Sequence, residues 1–225
     1  IIKMKNNKAF IIAELSADHG KDIEIAKETI LAAKRSGADA IKLQTYTPDT
    51  ITLDHKSEYF KIKTGGVGDG VYLYDLYKEA HLPWQWHKEL FDLAKKVGIT
   101  CFSSPFDNSA VDLLEELDCP IYKIASYEIS DIPLIEYVAS KNKPIIISTG
   151  CATYEDIELA VNSIRKINKK KISILKCTSA YPAPISDANL LMMNKYKEDF
   201  NVDIGISDHT LGITVPVAAV AMGAS

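Results

Sequence analysis

Seven short, β-branched apolar runs recur along the chain: "FIIAEL" (10–15), "AIKLQTY" (40–46), "TCFSSPF" (100–106), "IYKIAS" (121–126), "PIIISTG" (144–150), "ISILKCTS" (172–179) and "VDIGISD" (202–208). Stretches with apolar residues at helical spacing separate them, among them "DIEIAKETILAAKRSG" and "TYEDIELAVNSIRKIN". The second carries Thr153 as an N-cap followed by acidic residues in the first turn, where they complement the helix dipole. Strands apolar on both faces and joined by helical crossovers belong in a parallel sheet with right-handed connections. Seven repeats at this spacing predict an α/β fold, a (β/α)8 TIM-type barrel with about seven β/α units present, in preference to an open doubly wound sheet.

At 225 residues and 47% hydrophobic content the chain can bury one sizeable core, so residues 1–225 are expected to form one barrel domain. The closing "ITVPVAAVAMGAS" reads as the seventh helix, after which an eighth strand and helix are expected; the chain therefore reads as a piece of a longer one. Residues 47–82 break the rhythm with "TPDT", an aromatic-charged patch and "TGGVGDGVY". Those glycines lack the spacing and the strand-to-helix context of a dinucleotide cradle, which leaves a mobile loop over the barrel mouth or a solvated connection. The loop at 61–71 has no contact assignment from sequence.

A formal net charge of −4 with dispersed lysines gives no footprint for nucleic acid and no polybasic membrane segment, so a small molecule is the expected partner. No run approaches the roughly 20 apolar residues that cross a bilayer. "IIKMKNNKAF" also lacks the apolar core and cleavage site of a signal peptide, so a cytoplasmic location is expected. Cys101, Cys119, Cys151 and Cys177 show no CxxC spacing; three of the four lie in or beside apolar runs and read as buried reduced thiols.

In a barrel of this kind the C-terminal strand ends form the active face, and here they are polar. They supply Glu14, Ser16, Asp18 and His19; Lys42 and Gln44; Ser103 and Ser104; Lys123, Ser126 and Glu128; Ser148 and Thr149; Thr178, Ser179 and Tyr181; and Ser207, Asp208 and His209. A serine at a strand end can simply cap the next helix. An ammonium inside an apolar strand, as at Lys42 and Lys123, needs an anion or a chemical role. Two lysines with hydroxyls and helix N-termini suit a doubly charged anion such as a phosphate ester. Glu14 and Glu128 suit acid/base work or a cation, so phosphate, metal and carbonyl chemistry are indicated together.

As a set, "IIAELSADHG", "IKLQTY", "SSPFD", "YKIAS.E", "KPIIISTG", "CTSAYP" and "GISDHTLG" resemble the sialic acid synthase family in content and order over nearly the whole chain. That family condenses phosphoenolpyruvate with an amino sugar to build nonulosonic acids. "LYDLYKEAHLPWQWHKEL" is similar to its pseudaminic acid synthase branch, although the two tryptophans can equally serve to pack a helix on the barrel. The resemblance implies a phosphoenolpyruvate site at Lys42, Ser104, Lys123, Ser126, Ser148 and Ser207, with Gln44, Ser179 and Tyr181 toward the sugar. It implies that Glu14 handles the attacking water, that Glu128 is a second acid near the reacting carbons, and that His209 is one of two histidines holding a divalent metal. The metal implied is manganese, with magnesium or cobalt as substitutes. The second histidine and a small C-terminal antifreeze-like domain are expected beyond Ser225, and a homodimer is expected of the full-length protein. Ser179 stands where N-acetylneuraminate synthases carry asparagine, which fits a different sugar, 2,4-diacetamido-2,4,6-trideoxy-L-altrose.

The reaction implied is metal-assisted carbon–carbon bond formation, addition of water and release of phosphate. N-acetylneuraminate and legionaminate synthesis are the alternatives within the family. A Schiff-base aldolase using Lys42 or Lys123, and a non-catalytic barrel that binds phosphate or sugar, are the alternatives outside it.

Overall fold

Each β-branched run becomes a strand and each helical-period stretch a helix in the computed structural model, which describes residues 8–63 and 68–225. Residues 64–67 of the loop at 61–71, and residues 1–7, lie outside the described residues. The chain divides into two compact units, one from Ile11 to Pro120 and one continuing from Ile121 to Ser225.

In the first unit β1 (Ile12–Glu14), β2 (Ala40–Thr45) and β3 (Thr100–Pro105) pair in parallel, with Glu14 opposite Lys42 and Gln44 opposite Ser104. Crossing from β1 to β2, α1 (Ile23–Arg35) starts where the Asp22 carboxylate accepts the Glu24 N–H at 2.8 Å, and it buries Ala26, Ile30 and Ala33. Between β2 and β3 lie α2 (Pro48–Ile51), α3 (Leu73–Ala80) and α4 (Trp84–Val97). Residues 47–82 are thus more than a bare connection. An antiparallel bridge joins Lys61 to Tyr72, Lys56 pairs with Asp75 at 2.5 Å, and Tyr74 donates to Asp49 at 2.9 Å. The unit closes with α5 (Asn108–Glu116), capped by Asp107.

The second unit runs β4 (Tyr122–Ile124), α6 (Ile132–Ser140), β5 (Ile145–Ser148), α7 (Tyr154–Ile167), β6 (Ile172–Cys177), α8 (Leu191–Phe200), β7 (Asp203–Ser207) and α9 (Thr214–Ala221). Its strands are parallel, with Ser148 opposite Leu175 and Cys177 opposite Ser207. Ile145, Ile147 and Ile174 of the strands and Ile157, Val161 and Ile164 of α7 are all buried, and every residue of β5 is buried, the double-sided burial expected of parallel strands. The fold class is α/β, with seven β/α units among the described residues, as the sequence predicts. No described helix is long and apolar enough to cross a membrane.

Candidate functional site

Strand alternation sorts the polar residues of the first unit into two faces. Lys42 and Gln44 share one face of β2. Lys42 is buried at 7% exposure and forms an ion pair with Glu14, its register partner. Gln44 lies opposite Ser104, whose buried hydroxyl oxygen meets no hydrogen-bonding partner among the described residues. Ser103 belongs to the other face. There Ser103, Thr45 and His87 form a buried relay, with Ser103 Oγ 2.6 Å from Thr45 Oγ1 and Thr45 Oγ1 2.9 Å from His87 Nε2. The His87 Nδ1–H completes it toward the Pro83 carbonyl at 3.3 Å. Burial pushes the His87 pKa down to about 4, so the ring is neutral and can accept from Thr45. Adjacent serines therefore divide between relay and free hydroxyl.

The tryptophans of the "PWQW" segment pack helix α4 onto the strands. Trp84 Nε1 donates to the Tyr46 carbonyl at 3.1 Å, and Trp86 meets His19 edge-on with ring centroids 5.7 Å apart. His19 is fully buried, its Nδ1 accepting the Lys21 N–H at 3.0 Å, and burial lowers its pKa. The loop that turns it inward takes left-handed backbone at Ser16, Gly20 and Lys21. His19, which sequence places among the polar strand ends, thus belongs to the packing.

In the second unit the polar residues converge on a thiol. Ser126 Oγ accepts the Gly150 N–H at 3.0 Å. A methyl group at Gly150 would stand 3.0 Å from both Ser126 Oγ and Cys177 Sγ, and closer still to Ser179 Oγ, so any larger residue there must displace these side chains. Burial pushes the Cys177 thiol up, but hydrogen bonds with His209, Ser126 and Ser207 outweigh it and bring the pKa down to about 7. The same thiol raises the His209 pKa, against burial. His209 Nδ1 is 2.9 Å from the Thr178 carbonyl, and the Tyr181 ring lies against it with centroids 4.2 Å apart. Lys176 holds that stretch in place, donating to Thr178 Oγ1 at 2.9 Å and to the Asp187 carbonyl at 3.1 Å.

Lys123 is buried on β4, and its charge reaches both Glu128 and His209. Glu128 sits on the short turn after β4. Burial raises its pKa, Lys123 partly opposes this, and its Oε2 has no hydrogen-bonding partner among the described residues. Ser148 ends β5 with a buried hydroxyl in the same condition.

The first unit therefore gathers Glu14, Lys42, Gln44 and Ser104, and the second gathers Lys123, Ser126, Glu128, Ser148, Ser179, Tyr181, Ser207 and His209. Sequence reading passed over Cys177 as a packed thiol. Its signal was the register that sets it beside Ser207, two residues before His209. The His209 imidazole fits a metal ligand, because a Nδ1–H held by a carbonyl presents the Nε2 lone pair outward. Asp208 directs Oδ1 to Thr210, at 3.1 Å to its N–H and 2.8 Å to its hydroxyl. No cluster of three or more metal-binding side chains occurs among the described residues.

The chain is similar to three known proteins. The chain is 51% identical to pseudaminic acid synthase of Helicobacter pylori over 215 residues, covering 96% of this chain and 63% of that protein. It is 39% identical to N,N'-diacetyllegionaminic acid synthase of Legionella pneumophila, covering 96% of this chain and 61% of that protein. It superposes on the crystal structure of N-acetylneuraminic acid synthetase from Leptospira borgpetersenii, in complex with citrate, with a TM-score of 0.83 and 33% identity. That match spans 99% of this chain and 74% of the other, and the shared fold is of TIM type. The chain spans under two thirds of the length of the two synthases it matches in sequence. The NeuB family model matches residues 29–225, and with these relatives it places the chain in the NeuB family of sialic acid synthases.

Proposed function

We propose that the chain carries the catalytic barrel of a phosphoenolpyruvate-dependent nonulosonic acid synthase, with 2,4-diacetamido-2,4,6-trideoxy-L-altrose as the sugar and pseudaminic acid as the product. The observation that carries the reading is a buried lysine accompanied by an unpartnered buried serine hydroxyl in each unit, Lys42 with Ser104 and Lys123 with Ser148. Orphaned buried hydroxyls are costly unless a partner completes them, and the ammonium buried in the same unit favours an anionic one. Phosphoenolpyruvate offers both a phosphate and a carboxylate. The 51% identity to a pseudaminic acid synthase favours that sugar over those of the legionaminate and neuraminate synthases.

In this reading Lys42, Lys123, Ser104, Ser126, Ser148 and Ser207 bind phosphoenolpyruvate, and Gln44, Ser179 and Tyr181 face the sugar. A divalent ion held in part by His209, manganese or else magnesium or cobalt, supplies Lewis-acid polarisation of the sugar aldehyde. C3 of phosphoenolpyruvate bonds to that aldehyde carbon, leaving a cationic centre at C2. Glu14, oriented by its ion pair with Lys42, takes a proton from the water that adds there. Collapse of the resulting hemiketal phosphate releases inorganic phosphate, whose charge the two lysines offset. Glu128, kept toward its neutral form by burial, is suited to give a proton to the new hydroxyl. A soluble cytoplasmic homodimer feeding a cell-surface glycan is the setting proposed for it.

The test is inorganic phosphate release from phosphoenolpyruvate with manganese, offering the altrose sugar and N-acetylmannosamine separately, on this chain and on one extended past Ser225. Release with the altrose sugar, falling about 100-fold or more in Glu14→Gln, is expected. Full turnover in Glu14→Gln would remove Glu14 from the chemistry. A borohydride-trapped adduct with pyruvate on Lys42 or Lys123 would replace the synthase with an aldolase.

A further inference from the structure

We infer that Lys176 is a positioning residue for the sugar: it ties together the two ends of the loop 178–187 and so holds Ser179 and Tyr181 in place. The inference rests on the proposed reaction, in which those two side chains face the sugar.

Strand alternation turns the Lys176 side chain away from the thiol cluster. On β6 it shares the face of fully buried Ile174, opposite the face of Cys177, and its register partner is Ile206. Its ammonium donates to the Cys177 carbonyl at 3.1 Å, to Thr178 Oγ1 at 2.9 Å and to the Asp187 carbonyl at 3.1 Å. Three acceptors match the three N–H donors of a lysine, so the group acts as a structural node and not as a ligand for substrate. Thr178 Oγ1 in turn donates to the same Asp187 carbonyl at 3.0 Å. The first and last residues of the loop thus close on one half-buried ammonium, whose pKa burial lowers.

Between those ends the Ala183 N–H donates to the His209 carbonyl at 2.8 Å, and Ala183 bridges to Thr210. Tyr181 stands between the two ties, resting on the His209 ring and 76% exposed. A side chain so exposed has little packing to fix it, and its placement follows the backbone that carries it. Loosening the loop lowers the fraction of molecules in which it is correctly placed, and the apparent sugar affinity falls by the same factor. The residues proposed for phosphoenolpyruvate, Lys42, Ser104, Lys123, Ser126, Ser148 and Ser207, all lie outside the loop, so binding of that substrate should be spared.

The experiment measures phosphate release by the chain extended past Ser225 at saturating manganese, varying the altrose sugar and phosphoenolpyruvate in turn. Lys176→Met keeps the reach of the side chain and removes the ammonium. Thr178→Val keeps the shape and removes the hydroxyl, and circular dichroism establishes that each variant is folded. The expected result is a KM for the sugar raised about tenfold in Lys176→Met and by less in Thr178→Val, with the KM for phosphoenolpyruvate unchanged. Amide exchange over 178–187 should quicken in both variants while that of β5 and α7 does not. An unchanged sugar KM in folded variants, or an equal rise for both substrates, overturns the inference. Should Lys176→Met fail to fold, Thr178→Val decides alone. No phosphate release by the parent with either sugar overturns the synthase reading instead. The tie is then judged by exchange: quickening confined to 178–187 keeps it, and unchanged exchange removes it.

Discussion

Helices α4 and α7 begin in opposite ways, and the two units order their polar groups to match. In the second unit α7 is fixed by its own first turn: Thr153 Oγ1 accepts the Asp156 N–H at 3.2 Å, and Asp156 accepts the Thr153 N–H at 2.8 Å. In the first unit α4 starts at Pro83 with no side-chain cap. Its first turn is held from outside, by Trp84 on the Tyr46 carbonyl and by the His87 relay running to Thr45 and Ser103. The polar side chains differ as well. Those of the first unit form discrete pairs, Glu14 with Lys42 and Ser103 with Thr45, whereas those of the second crowd around Cys177; each unit leaves two buried polar atoms without hydrogen-bonding partners among the described residues, His19 Nε2 and Ser104 Oγ in the first, Glu128 Oε2 and Ser148 Oγ in the second. Where order comes from long-range pairing, stability should respond to the titration of one buried group. Where it comes from crowding or a local cap, it should respond to volume and to single hydrogen bonds.

The largest effect is expected at His87. Its folded pKa of about 4 lies below the ordinary value of 6.5, so the unfolded chain binds more protons between those limits. The stability tied to the neutral ring is present above pH 6.5 and is lost as pH falls toward 4. Over that window the loss amounts to roughly 3 kcal/mol. His19, also lowered by burial, adds in the same direction. His87→Gln keeps a donor for Pro83 and an acceptor for Thr45 but cannot titrate. Urea unfolding across the window should show the parent losing about 3 kcal/mol more than the variant. Equal acid sensitivity in both would break the contrast, because the relay would then not be the pH-dependent element.

Gly150→Ala addresses the second unit by volume. The added methyl must displace Ser179, and it presses on Ser126 and Cys177, both 3.0 Å from its position. Overpacking of this kind costs about 1–3 kcal/mol, read as a fall in melting temperature. An unperturbed variant would mean that the cluster is loose enough to absorb a methyl group, and that crowding is not what orders it.

These contrasts also explain what the sequence disclosed. All seven strands were legible because β-branched runs of this length have few alternatives, and α7 was legible because a capping box is written in consecutive residues. The inward turn of His19 was not. It depends on a left-handed loop and on Trp86, far along the chain in α4. Likewise nothing local tells Ser103 from Ser104: the face each takes is set by register against β2. Cys177 was hidden for the same reason, its neighbours Ser126, Ser207 and His209 coming from two separate stretches of chain, the turn after β4 and the end of β7. Motifs located the polar strand ends, and pairing between strands decided which of them remain free.

The smallest effect, and the sharpest test of local against long-range order, is at the helix starts themselves. Thr153→Ala removes one half of the α7 capping box, leaving the Asp156 N–H without its side-chain acceptor while water can still reach it. Such losses cost about 1 kcal/mol. Trp84→Phe removes the bond to the Tyr46 carbonyl and some buried ring area together, a cost of about 1–3 kcal/mol once the unsatisfied acceptor is included. Amide hydrogen exchange separates the two further. In Thr153→Ala faster exchange should be confined to the first turn of α7, because nothing outside that turn depends on the cap. In Trp84→Phe it should spread to the end of β2 and to the His87 relay, because α4 is tied at its start to both. Exchange confined to the first turn in both variants would mean that α4 is ordered as locally as α7, and the distinction between the two helix starts would collapse.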